Sequence, residues 1–224
     1  MSDNAHHKPV LPLLLPMSAI LAGATKSGKT TFIQKLLLNA DKMFSKPVEE
    51  IIVVYMTWQP SYEILEAEFQ SKIKFRNDIP SKAELLEITK NDDSQRILLI
   101  DDMQSAINNS DLADIVCVLA SHRNISVFLL VQNFYYDSKI LRTVSLNVQG
   151  IFLFKNRRSE QQVKTLATQL SPGNREFILD AYRKACGYSQ HGYLYIDLHP
   201  LGDPRYQYRT NIFADEDTII FTPK

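Results

Sequence analysis

The sequence predicts an α/β fold with a mostly parallel central sheet flanked by helices, and three observations predict it. Short apolar runs such as Ile51-Ile52-Val53-Val54-Tyr55 recur along the chain, separated by stretches with helical spacing. The runs are continuously apolar rather than alternating, as strands buried on both faces of a parallel sheet must be. Strands separated by helices imply crossover connections. Polar, chemistry-bearing residues follow several runs directly, at the strand tips where open α/β sheets place their ligands. Near the C-terminus two alternating segments, Tyr193–Asp197 and Tyr206–Thr210, flank Gly202-Asp203-Pro204 and predict a β-hairpin extension at one side of the sheet.

In chain order, residues 1–15 read as a flexible N-terminal tail and 16–224 as a single domain. His6-His7 have no third ligand nearby and read as solvated side chains. A first strand at 17–22 leads into Gly23-Ala24-Thr25-Lys26-Ser27-Gly28-Lys29-Thr30, and a helix over 29–41 leaves it. This is G-x-x-x-x-G-K-[ST] between a strand and a helix, the setting that a phosphate-binding P-loop requires. Gly23 and Gly28 permit dihedrals that larger residues resist. The amides of Gly23 through Thr31 and the helix N-terminus then form an anion site. Lys29 reaches the β- and γ-phosphates of ATP, and the Thr30 hydroxyl is a ligand for Mg²⁺. The Leu11–Pro16 stretch and the run behind it look like a secretory signal. Cleavage at Ala22-Gly23-Ala24 would cut the loop, and the prolines break the apolar helix a signal needs, so that reading fails.

A strand at 51–55 follows, with Thr57-Trp58-Gln59-Pro60 at its tip, then a helix at 61–70 and a short strand at 73–75. Ser81-Lys82-Ala83-Glu84 is a capping box that opens another helix. Ile97-Leu98-Leu99-Ile100 is a buried strand with Asp101-Asp102 at its carboxyl end, a Walker B pattern. Asp101 holds Mg²⁺ through its water shell opposite Thr30, and Asp102 stands where a carboxylate activates the attacking water. A helix at 111–122 ends in Ser121-His122-Arg123-Asn124, and a strand at 127–131 ends in Gln132-Asn133. An amide at that tip, Gln132, can sense the γ-phosphate or the lytic water. A segment at 137–147 carries Arg142, a strand spans 151–154, and Lys155-Asn156-Arg157-Arg158 leaves its tip. Helices at 159–169 and 174–186 precede the hairpin. The strand–helix alternation with the P-loop on the first strand and Walker B on a later one specifies a RecA-like P-loop NTPase sheet.

The 224 residues are 45% hydrophobic, enough for one sizeable core. The 25 basic and 25 acidic side chains balance, which argues against a generally basic nucleic-acid coat but leaves room for a local basic strip. Cys117 and Cys186 lack metal-ligand spacing and read as reduced thiols of an intracellular protein. No apolar run reaches bilayer length, so no membrane span is expected. An Asn-Lys-x-Asp motif, a Leu-Ser-Gly-Gly-Gln motif and an Asp-Glu-Ala-Asp box are all missing, which sets aside GTPases, ABC-type transporter ATPases and DEAD-box enzymes.

The blocks Ala22–Phe32, Leu98–Asp102, Ser121–Asn133, Arg142–Asn147, Phe152–Asn156 and Gly192–Asp197 resemble DNA-packaging ATPases of the FtsK–HerA superfamily. The resemblance is greatest to those of Polinton (Maverick) elements and adintovirus-like viruses, with poxvirus-type packaging ATPases as relatives. It covers residues 16 to 213. It implies an ATP-driven motor that forms a homo-oligomeric ring, hexamer or pentamer. Such a motor pumps double-stranded DNA, without regard to sequence, into a preformed capsid through a capsid or portal vertex. It implies action inside the host cell, in the nucleus or at the viral assembly site, and association with the virion. It places Gln132 at a superfamily Gln position. It makes Arg123 a candidate finger for the neighbouring subunit's nucleotide, with Arg142 as the rival. Asp102 departs from the superfamily's usual Glu. The alternative is a P-loop nucleoside or nucleotide kinase, with Arg157-Arg158 on a lid.

Overall fold

The computed structural model describes residues 11–90, 93–101, 110–119, 122–133, 139–156 and 160–223. The strands are β1 (Ser18–Ala22), β2 (Glu50–Tyr55), β3 (Ile73–Arg76), β4 (Arg96–Asp101), β5 (Ile125–Val131), β6 (Gly150–Phe154), β7 (Tyr193–Asp197), β8 (Tyr208–Thr210) and β9 (Ile219–Phe221). The helices are α1 (Lys29–Leu38), α2 (Ala40–Met43), α3 (Pro60–Phe69), α4 (Lys82–Ile88), α5 (Ser110–Asp114), α6 (Lys139–Asn147), α7 (Glu160–Leu170) and α8 (Arg175–Gly187). A π-helical stretch, Ile115–Leu119, continues α5.

All nine described strands form one sheet in the order β3-β2-β4-β5-β1-β6-β7-β8-β9. Strands β1 to β6 are parallel, and β7, β8 and β9 are added antiparallel. Their parallel neighbours all point one way, so Ala22, Tyr55, Asp101, Val131 and Phe154 end at the same edge. Side chains alternate between two cores. Ile20, Ile52, Leu98, Leu129 and Ile151 face the core that includes residues of α4 to α8. Ala19, Val53, Leu99, Phe128 and Phe152 face the core shared with α1 and α3. By that parity Asp101 and Gln132, each two residues beyond a member of the second set or its strand-mate Leu130, project toward α1 and α3.

Phe32 anchors the first turns of α1. Its ring lies 5.0 Å from Phe152, 5.5 Å from Phe154, 4.8 Å from Tyr193 and 5.2 Å from Phe213. Such tilted and edge-on pairs contribute beyond the area they bury. They seat the helix N-terminus over β6 and β7.

Three details differ from the sequence reading. Residues 13 to 15, read above as part of the tail, pack into the fold: Leu13 and Leu15 are buried, and Leu13 exchanges backbone bonds of 2.8 and 3.0 Å with Met43 and Ser45. Burying those leucines outweighs the chain-breaking effect of the prolines beside them. The first helix stops at Leu38, because the Asn39 amide folds back onto the Lys35 carbonyl at 2.9 Å and α2 restarts the spiral. The hairpin gains a third strand, β9, whose three residues are too short for periodicity to reveal. Cys117 and Cys186 are both free thiols. Among the described residues no helix is long and apolar enough to cross a membrane.

Candidate functional site

The P-loop occupies the turn between β1 and α1, at the edge where the parallel strands end. Its two glycines have different tasks. Gly28 has φ +102°, a conformation that costs other residues, and Lys26 also enters the left-handed region at φ +63°. Gly23 has no positive φ; it is needed for space. A Cβ there would sit 2.6 Å from the Phe154 Cβ and 2.7 Å from the Ser27 Oγ. The expectation of a special dihedral at Gly23 is therefore corrected to one of close approach.

Lys29 is buried, and its ammonium donates to the carbonyls of Gly23 at 2.6 Å and Ala24 at 3.1 Å. These bonds hold the cation under the loop, where a bound phosphate would compete for it. Ser27 is buried too, and its Oγ has no hydrogen-bond partner among the described residues. A buried hydroxyl without a partner is costly and fits a site built for an oxygen-rich ligand.

Asp101 is buried at the tip of β4. The Tyr62 hydroxyl donates to its Oδ2 at 2.5 Å, and the Gln59 amide donates to the same oxygen at 3.3 Å. One cleft of about 530 Å³ is lined by Lys29, Thr30, Asp101, Gln132, Gln59 and His191 together with the rest of the loop. A second of about 690 Å³ runs from the other side of the loop past Gln132, Asn133, Lys155, Asn156, Gln190 and His191. Thr30 and Asp101 thus face one cavity beside the lysine. That fits Mg²⁺, which binds through one or two protein oxygens plus phosphate and water rather than in an all-protein cage. The described residues contain no cluster of three or more His, Cys, Asp or Glu placed for a metal.

The structure brings together Ala24, Thr25, Lys26, Ser27, Gly28, Lys29, Thr30 and Thr31 with Asp101 and Gln132 around these clefts, and Gly23 lines a small cavity beside them with Gln132. Asp102 and the Arg157-Arg158 pair lie outside the described residues. Arg123 does not sit at the nucleotide edge. It is an exposed turn residue two positions before Ile125, where β5 begins, and β5 has seven residues. A strand of that length separates its two ends by roughly 20 Å. Arg123 therefore lies at the opposite edge, because a residue preceding a parallel strand is at its start and not its tip. Arg142 is exposed in the second turn of α6. Neither arginine lines the clefts.

Four contributors escaped the sequence reading. His191 and Gln190 precede β7, and β7 is antiparallel, so its start meets the end of β6: Phe154 pairs with Tyr193. A Cβ on Gly28 would lie 2.8 Å from that of His191. Strand direction, which the sequence pattern did not reveal, is what brings them in. Gln59 and Tyr62 had a visible signal: polar residues right after an apolar strand.

No protein-family model matches the chain, and no curated protein matches it in sequence. Solved structures do match in fold. The genome packaging NTPase B204 from Sulfolobus turreted icosahedral virus 2, in complex with ATP-gammaS, superposes with a TM-score of 0.54 at 16% identity, over 93% of this chain and 98% of that one. The crystal structure of B204, the DNA-packaging ATPase from Sulfolobus turreted icosahedral virus, gives 0.52 at 15% identity with the same coverage. The likeness establishes a RecA-like P-loop fold over nearly the whole of both chains.

Proposed function

We propose that this chain is an ATPase that drives double-stranded DNA into a preformed viral capsid. The observation that carries the reading is one cleft that gathers Lys29, Thr30, Asp101 and Gln132 at the tips of three neighbouring strands. Its fold is that of B204, and the sequence blocks named above support placing it beside the packaging ATPases of Polinton elements and adintovirus-like viruses.

The loop amides and the α1 N-terminus bind the phosphates. Lys29 neutralises charge that builds on the β–γ bridge and γ-phosphate as the bond breaks. Thr30 and Asp101 would hold Mg²⁺, which when bound shields the same oxygens. Gln132 orients the attacking water from the β5 tip, and Asp102 accepts its proton. A ring of identical subunits supplies an arginine to each neighbouring site and surrounds the DNA with phosphate contacts that read no sequence. Such a machine works inside the host cell, at the capsid vertex.

Turnover measured against protein concentration, with and without linear duplex DNA, tests the reading. It should rise more than proportionally with concentration and rise again with DNA, releasing inorganic phosphate. Turnover indifferent to both would overturn the motor, and phosphate transfer to a nucleoside would make the chain a kinase.

A further inference from the structure

We infer that Tyr62 and Gln59 are positioning residues for Asp101, tuning how firmly this cleft holds a divalent cation. The inference rests on the nucleotide-site reading above and deepens it.

Asp101 is the carboxylate nearest the loop among the described cleft residues, and it is buried. A buried carboxylate requires donors to stay ionised, and donors also fix which way it points. Here two donors come from one element. Gln59 and Tyr62 stand at the entry of α3, and the Tyr62 amide closes that turn on the Gln59 carbonyl at 2.9 Å. Both side chains donate to Oδ2. The Tyr62 bond is short, as O–H to carboxylate bonds are.

The tyrosine is itself held. It is 1% exposed, and its ring packs against Tyr55 at 5.7 Å, Trp58 at 5.6 Å and Phe75 at 5.7 Å. Trp58 is also 5.0 Å from Phe75 and 5.5 Å from Tyr55. Four rings therefore fix the hydroxyl in space, and the hydroxyl fixes the carboxylate. A core position that needed only volume would suit phenylalanine equally well. The hydroxyl is explained by the group it addresses. Groups that orient a metal-binding carboxylate typically change metal affinity by 10–100-fold when removed.

The test uses Tyr62→Phe, which keeps the ring and its three neighbours, and Gln59→Ala. The affinity of a fluorescent, non-hydrolysable ATP analogue is measured in Mg²⁺ and in EDTA, and the ratio of the two reports the metal's contribution. Emission of Trp58, the single tryptophan, checks that the aromatic cluster is intact. Tyr62→Phe should lower the ratio about tenfold while leaving the EDTA affinity unchanged. Gln59→Ala, with the longer bond, should lower it less. An unchanged ratio overturns the inference, and so does an equal loss in both conditions, which would mark Tyr62 as merely structural. A wild-type ratio of one also overturns it, because Asp101 then holds no cation. Wild-type protein that binds the analogue in neither condition instead sinks the parent reading.

Discussion

At the scale of single residues, the loop shows how one residue type answers two demands. Gly28 is required by backbone conformation and Gly23 by the Phe154 Cβ packed against it. The two substitutions should therefore fail differently. In Gly28→Ala the new methyl meets His191, an exposed side chain that can swing away, leaving mainly the left-handed penalty. In Gly23→Ala the methyl meets a Cβ fixed in β6, which can yield only by moving the strand. Overpacking of that kind costs about 1–3 kcal/mol. Chemical denaturation should show a lower midpoint for both variants and a larger loss for Gly23→Ala. A Gly23→Ala protein as stable as wild type would mean that the loop can lift off β6. The sequence motif made both glycines visible but could not separate their reasons, because the partner of Gly23 comes from a strand far along the chain.

At the scale of elements, what was legible is what local pattern encodes. Continuous apolar runs identified β1, β2, β4, β5 and β6, the P-loop motif pointed to Lys29 and Thr30, and the polar residues at strand tips pointed to Asp101 and Gln132, which line one cleft. What was hidden depends on direction and order. His191 was missed because its approach to the loop follows from the antiparallel run of β7, and the candidate finger Arg123 precedes β5 and so lies at the edge opposite the clefts. The edge opposite the clefts has its own device. Glu50 at the start of β2 pairs with Lys74 of β3 at 2.6 Å and with Arg96 of β4 at 2.8 Å, and Arg96 is buried. Burial alone would raise the Glu50 carboxyl, but the Lys74 ammonium and the Arg96 guanidinium outweigh it and hold the group below its ordinary value. A lowered folded value adds stability above the unfolded one and loses it as pH falls through the folded one. The melting-temperature gap between wild type and Glu50→Gln should thus be wide at neutral pH and narrow once pH falls below the ordinary glutamate range, closing only below the lowered folded value. A gap independent of pH would show that the bridge contributes packing alone.

At the scale of the molecule, neither Arg123 nor Arg142 lines the clefts of its own subunit, so either could act as a finger only on the site of another copy. Mixing tests this. Lys29→Ala loses phosphate contact but keeps both arginines, while Arg142→Ala or Arg123→Ala keeps the loop. Each alone should be inactive or nearly so if its arginine acts across subunits. Mixed rings should recover part of the turnover only for the arginine that does. Recovery with neither, although mixed rings form, would rule both out. The sheet order carries a last consequence, for how the chain is made. β1 leaves the ribosome first, yet Ser18 pairs with Val127 and Ala19 with Gly150. The apolar strand must wait, unpaired, for more than a hundred residues of synthesis, and the loop it carries gains its Phe154 support and its His191 wall later still. The nascent chain can build β2, β3 and β4 long before it can grip a nucleotide, and contacts so distant in sequence make that final closure slow. The loop between β1 and α1 can therefore take its final form only after residues 150 to 193 have been made, well after the loop itself.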